Sequence, residues 1–116
     1  MKDDLVYVHH IRDAIAQIEK YVKHMTYKKF GRSRMVQDAV VRQVTIIGEA
    51  ARNLSPEFRQ NHPEIPWAKV IGMRNVLVHD YFGIDIGEVW RVTQDDLPAL
   101  KKQVGRILRD ARKNVS

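Results

Sequence analysis

From Leu5 onward the apolar residues recur at Leu5, Val8, Ile11, Ile15, Ile18, Val22 and Met25, alternating steps of three and four that predict one long amphipathic helix. Asp3 or Asp4 is placed to cap its start, at the positive end of the helix dipole. Gly31 marks a turn, and Ser33 reads as the cap of a second long helix with Val36, Val40, Val44, Ile47, Ala51 and Leu54 on one stripe. The small residues Gly48, Ala50 and Ala51 would let a neighbour approach closely, which is a packing role. Ser55-Pro56-Glu57 is a fresh start with Ser as cap and Pro in the first turn, but Pro63 and Pro66 limit it to a turn or two. Trp67 opens a third helix through Val70, Ile71, Val76, Leu77 and Val78 that ends near His79, and Tyr81-Phe82-Gly83 breaks the pattern. Asp85-Ile86-Gly87-Glu88 has the spacing of a capping box, and Asp96-Leu97-Pro98 starts a last helix with Leu97, Leu100, Val104, Ile107, Leu108 and Ala111 on its stripe. No segment alternates with a strand period. Four or five helices with short connections predict an all-α bundle whose two long N-terminal helices form an antiparallel hairpin.

The length of 116 residues predicts a single domain spanning 1–116, so that any second catalytic domain must come from another chain. The absence of cysteine removes disulfides, thiolate nucleophiles and thiolate metal sites together. Met1-Lys2-Asp3-Asp4 leads straight into the amphipathic pattern, without the apolar core of a signal peptide, and no apolar run approaches membrane-spanning length. A cytoplasmic protein, neither exported nor inserted, is the expectation. The formal charge of +6, from 20 Lys and Arg against 14 Asp and Glu, concentrates polyanions near the surface. Nucleic acid is the commonest such partner, and a basic solvated surface is the plainer alternative.

Chemistry concentrates in Arg74-Asn75-Val76-Leu77-Val78-His79-Asp80-Tyr81. Arg is a permanent cation whose planar fork fits phosphate, and His can take or give a proton near neutrality. In a helix Asn75 and His79 would lie about 40° apart and share a face, whereas Arg74 would lie about 140° from His79, so the two converge only if the helix frays there or the long Arg side chain curls round, and His79 is expected near a helix end. Read structurally, the same residues are an ion-pair partner, a cation at a helix C-terminus and a core tyrosine. Elsewhere His9, His10 and His24 read as surface residues and His62 as a loop residue before Pro63. Glu49 reads as a solvated or structural carboxylate, with a buried pairing to an Arg as the alternative. Arg42, Arg52 and the cations from Lys101 to Lys113 form a solvated face by default, a subset of which could track a phosphate backbone. The six glycines are scattered rather than gathered into a phosphate loop, and no Cys or His cluster offers a zinc site, so neither a metal nor another cofactor is expected.

The Arg74, His79 and Tyr81 spacing resembles the signature of the HepT-like ribonucleases, a branch of the HEPN superfamily of helical proteins. Further blocks resemble that family in order: Gln37-Asp38-Ala39-Val40, Ile46-Ile47-Gly48-Glu49-Ala50-Ala51, Leu54-Ser55-Pro56, His62-Pro63-Glu64-Ile65-Pro66-Trp67, Ile71-Gly72-Met73-Arg74-Asn75, His79-Asp80-Tyr81-Phe82-Gly83 and Asp96-Leu97-Pro98. The resemblance implies a helical toxin that cleaves RNA without metal, paired with a minimal nucleotidyltransferase antitoxin of the MntA kind. It also implies silencing by transfer of adenylate from ATP onto the motif tyrosine, here Tyr81. His79 would serve as base or acid, Arg74 would hold the phosphate, and Asn75 would orient the imidazole or bond a phosphate oxygen. One motif carries one imidazole, so a two-fold homodimer would supply the second. The competing expectation is a non-catalytic HEPN module that docks a nucleotidyltransferase chain and helps hold its nucleotide or substrate.

Overall fold

The computed structural model describes the backbone of residues 2–80 and 83–115 and the side chains of residues 3–73 and 85–113. The chain is all-α in class, as its periodicity predicts. Three long helices form the frame: α1 (Lys2–Val22), α3 (Arg34–Arg52) and α7 (Leu97–Val115). Shorter elements join them: α2 (Tyr27–Gly31), α4 (Pro56–Asn61), α5 (Trp67–Leu77), β1 (Val78–Asp80), β2 (Gly83–Ile84), α6 (Ile86–Arg91) and a π-helical turn at Val92–Asp96.

The predicted stripes are the buried ones. Val8, Ile11, Ile15 and Ile18 of α1 meet Val40, Val44, Ile47 and Ala51 of α3, while Leu97, Leu100, Val104, Ile107 and Leu108 close the core from α7. Burying each large aliphatic side chain contributes about 1.5–3 kcal/mol, so the α1–α3 seam dominates the fold. The two helices run antiparallel, as expected. Asp4 in the first turn of α1 reaches Ser55, just past the end of α3, with its Oδ1 accepting from the Ser55 N–H at 2.8 Å and its Oδ2 from the Ser55 hydroxyl at 2.9 Å.

That contact corrects the reading of Asp4 as a cap: it lies inside α1, buried, and fastens the far end of the hairpin. The first helix also ends at Val22, before Met25, because His24 adopts a left-handed conformation at φ 63° that closes it. The short α2 then fits between the long helices, with the Thr26 hydroxyl accepting from the Lys29 N–H at 3.2 Å. Gly31 is the last residue of α2 rather than a turn of its own. Phe30 is fully buried there, and its carbonyl accepts from the buried Gln37 amide at 2.8 Å. Ser33, Ser55 and Asp85 cap α3, α4 and α6 as predicted, their side chains accepting from the N–H groups of Val36, Phe58 and Glu88.

Two further differences concern the C-terminal half. The helix starting at Trp67 ends at Leu77, and the backbone then forms a small antiparallel ladder, β1 with β2, that the sequence pattern does not announce. Strands of three and two residues are too short to show an alternating period. Asp96-Leu97-Pro98 does open α7, at Leu97, but no break separates it from what precedes. The path is helical from Ile86 to Val115, with the Leu97 N–H reaching back to the Val92 carbonyl through the widened turn. Pro98 has no N–H to continue the regular ladder, and a π turn is one way to absorb that break. Among the described residues no helix is long and apolar enough to cross a membrane.

Candidate active site

The segment that carries the chemistry is aimed by the start of α5. Pro63 and Pro66 stop α4 from continuing, and the reversal between them is pinned from several sides. The Trp67 indole N–H donates to the His62 carbonyl at 3.0 Å, the Trp67 backbone N–H donates to the Ile65 carbonyl at 2.9 Å, and Ile65 is buried. Trp67, Val70 and Met73 then face the core, fixing the rotation of α5. From the α7 side the Lys69 ammonium donates to Asp96 at 3.2 Å, and the Gln103 amide donates to the Glu64 carbonyl at 2.9 Å. The helix is thus anchored up to Met73, one residue before Arg74.

Arg74 and Asn75 stand on the last turns of α5, and His79 stands two residues beyond its end in β1. The expectation of a helix end near His79 holds. The helical face shared by Asn75 and His79 does not form, because the backbone leaves the helix after Leu77. In the ladder Val78 pairs with Ile84 and Asp80 pairs with Gly83, so two steps along β1 oppose one step along β2. His79 is the extra residue of a β-bulge. Bulges recur beside active sites, where they interrupt pairing and bend a strand locally. The side chains of Arg74, Asn75 and His79 lie outside the described residues, as does the whole of Tyr81, including its expected exposure.

The other titratable groups divide into surface and structural roles. His9 and His10 are exposed, His10 meeting the Tyr7 ring edge-on at 6.0 Å. His62 stacks on Phe58 at 4.5 Å and lies 3.6 Å from Glu64, so it belongs to the α4–α5 corner rather than to open solvent. Glu49 is half-buried on α3, beside a groove it shares with Tyr7, His10, Thr45 and Asn53. Among the described residues, no three His, Asp or Glu side chains gather as a metal-binding set.

Sequence reasoning missed two features near the site. One is a cleft of about 210 Å³ between α5 and α7, lined by Lys69, Val70, Met73, Asp96, Leu100 and Gln103. It depends on tertiary packing, and no local pattern signals it. The other is an ionic clamp on the π turn. The Arg91 guanidinium donates to both Glu88 oxygens at 2.8 Å and to both Asp96 oxygens at 3.0 and 3.1 Å. Those bonds hold the Glu88 carboxyl below its usual value of 4.5 and keep Arg91 firmly protonated. The Glu88 to Arg91 spacing of three is the one sequence signal for this clamp.

Comparison with known proteins identifies the family of the chain. Residues 11–107, which include the whole Arg74–Tyr81 segment, match the family described as Ribonuclease HepT-like. A gamma-glutamylcyclotransferase and putative RNase of Methanocaldococcus jannaschii is 42% identical over 113 residues, covering 97% of this chain and 51% of that protein. A second protein of that organism, named as a putative RNase, is 35% identical over 103 residues, covering 89% of this chain and 94% of its own length. A probable ribonuclease HepT of Thermococcus cleftensis is 39% identical over 95 residues, covering 82% of this chain and 86% of that protein. The chain therefore spans about half of the first of these relatives and most of the other two. No solved structure matches the chain significantly.

Proposed function

Because the chain belongs to the HepT-like ribonuclease family, we propose that it is a metal-independent endoribonuclease and the toxin of a HepT/MntA-type toxin–antitoxin pair. The observation that carries this reading is the continuity of the Arg74–His79 backbone. The last turns of an anchored helix run without an intervening loop into a strand whose bulge is His79. A cation and a proton-transfer group on one supported segment suit phosphodiester cleavage.

In the proposed reaction the ribose 2′-oxygen attacks the adjacent phosphorus as a base removes its proton. The new O2′–P bond forms, the P–O5′ bond breaks, and an acid protonates the leaving 5′-oxygen. His79 serves as base or acid. Arg74 holds the phosphate and stabilises the charge that develops on it, and Asn75 orients the imidazole or bonds a phosphate oxygen. A two-fold homodimer supplies the second imidazole. Control is exerted at Tyr81. A partner nucleotidyltransferase forms a bond from the phenol oxygen to the α-phosphate of ATP, releasing pyrophosphate, and the new negative charge occupies the field that RNA would meet.

The test is cleavage of RNA by the purified chain in excess chelator. His79→Ala and Arg74→Ala are expected to lower the rate about 10²–10⁴-fold with the helical circular dichroism unchanged, the range typical of losing one acid–base or charge-stabilising group. With the partner nucleotidyltransferase, ATP and magnesium, adenylate should appear on Tyr81 and cleavage should stop, while Tyr81→Phe escapes. Cleavage abolished by chelator, or unaffected in both alanine variants, would overturn the mechanism. RNA bound but left intact by the unaltered chain would favour a docking module instead.

A further inference from the structure

The outward face of α7 carries a charge pattern that the helix does not need for its own stability. Lys102, Arg106, Arg109 and Lys113 follow one another at steps of four, three and four. On a helix they fall within an arc of about 60° and along a rise of about 16 Å. Leu97, Leu100, Val104, Ile107 and Leu108 define the buried stripe, and the line of cations lies diametrically opposite it. All four are exposed. Lys101 is tied to Glu19 of α1 at 3.0 Å, whereas Lys102, Arg106 and Arg109 form no ion pair among the described residues.

Internal stabilisation does not account for this arrangement. Cations favour a helix C-terminus, which explains Arg112 and Lys113 in the last turn of α7. Lys102 lies well before that last turn, and Lys102 and Arg106 are like charges at a spacing that is mutually repulsive. Lys102, Arg106 and Arg109 are thus three exposed cations in one line, with Asp110 beside them on the same helix. A polyanion would relieve that repulsion. An acidic protein surface fits less well, because this face carries no aromatic or large aliphatic side chain to anchor a protein interface, its other residues including Pro98, Ala99 and Gly105. Regularly spaced cations without apolar anchors suit the repeating phosphates of a nucleotide strand, a contact that positions without reading sequence.

The cleft between α5 and α7, with Met73, the residue before Arg74, on one wall and Gln103 on the other, lies to one side of that face and also holds Asp95 and Asp96. We propose that the outward face of α7, through Lys102, Arg106 and Arg109, is a track for the phosphate backbone of single-stranded RNA. The proposal rests on the ribonuclease reading for its choice of RNA.

Binding is measured by fluorescence anisotropy with a labelled 2′-O-methyl oligonucleotide, which has no free 2′-hydroxyl to be cleaved. The triple variant K102Q/R106Q/R109Q is expected to bind roughly ten- to hundredfold more weakly at about 0.1 M salt, and to lower the slope of log affinity against log salt by about 2. The variant K23Q/K28Q/K29Q removes the same charge from other exposed positions and should keep the original slope. Equal losses in the two variants, or none in the first, would overturn the track. Displacement of the oligonucleotide by polyglutamate of matched charge as readily as by RNA would overturn the assignment to RNA. Cleavage of a dinucleotide, whose one bridging phosphate is the scissile one, is followed in parallel and should be the same in the triple variant and the unaltered chain. A chain that binds through the stripe yet cleaves neither substrate keeps the track and removes the ribonuclease reading.

Discussion

Ser55 does two jobs with one hydroxyl. Its Oγ accepts from the Phe58 N–H at 3.0 Å, capping α4, and donates to the Asp4 carboxylate at 2.9 Å, while its own N–H donates to the other Asp4 oxygen at 2.8 Å. The first job is legible in the sequence, because Ser before Pro-Glu is a local cap signal. The second is not, since Asp4 lies 51 residues away and its position near the start of α1 suggests a cap instead. Asp4 is 4% exposed, so its bonds to Ser55 replace solvation it has lost. Ser55→Ala is expected to destabilise the chain by about 1–3 kcal/mol, combining a lost cap with a lost hydrogen bond to a charged group. Asp4→Ala should cost a similar amount or more, and the double variant less than the sum by at least about 0.5 kcal/mol, the signature of groups in contact. Urea denaturation of the four proteins checks this, and strict additivity would show that the two residues act independently. The same contrast applies at the motif. Arg74, Asn75, His79 and Tyr81 stand out by residue type alone, whereas the bulge that isolates His79 in its strand follows from the pairing of Val78 with Ile84 and Asp80 with Gly83, which no single-strand pattern encodes.

At the level of elements, caps and stripes were legible and junctions were not. Val76-Leu77-Val78 is an apolar run that reads equally well as helix or strand, and only the pairing partner decides that the helix stops at Leu77. Asp96-Leu97-Pro98 has the composition of a helix start and α7 does begin at Leu97, yet it is entered directly from a π turn, bracketed by Arg91 and its two carboxylates, that the sequence does not signal. Glu88 and Asp96 flank that turn from either end, and Lys69 ties it to α5, so the clamp couples the α6–α7 path to the helix bearing Arg74. Because the Arg91 hydrogen bonds lower the folded pKa of Glu88, the native state binds its proton less readily than the unfolded state does. The stabilisation is therefore complete above the ordinary value of 4.5 and is lost as pH falls through the lowered value. Thermal melts of the unaltered chain and Glu88→Gln should differ by a constant amount near neutrality and converge as pH falls below 4.5 through the lowered value. Amide exchange across Val92–Asp96 should accelerate in the variant at neutral pH. A difference that stays level through the acid range would remove Glu88 from the clamp.

At the scale of the whole molecule, the basic balance read from composition acquires a location only when α7 is seen to bury one stripe and expose the opposite one. The number of chains in the active unit is a matter of chemistry as well as shape. Transphosphorylation needs one group to remove a proton and another to supply one, and the Arg74–Tyr81 segment contains a single histidine. If the proposed homodimer pairs the two segments, each productive site requires His79 from both chains. Mixing then gives a quantitative discriminator. When unaltered chains are diluted with His79→Ala chains and allowed to exchange, activity should fall as the square of the unaltered fraction, to about one quarter in an equal mixture. Chains that act independently would instead retain about one half. Sedimentation at the assay concentration should show twice the monomer mass of 13.5 kDa, and the mixed dimers should remain folded and bind RNA, because the α7 track is complete on each chain. A linear fall in activity, or a monomer that cleaves at full rate, would mean that the second proton-transfer group lies within the same chain.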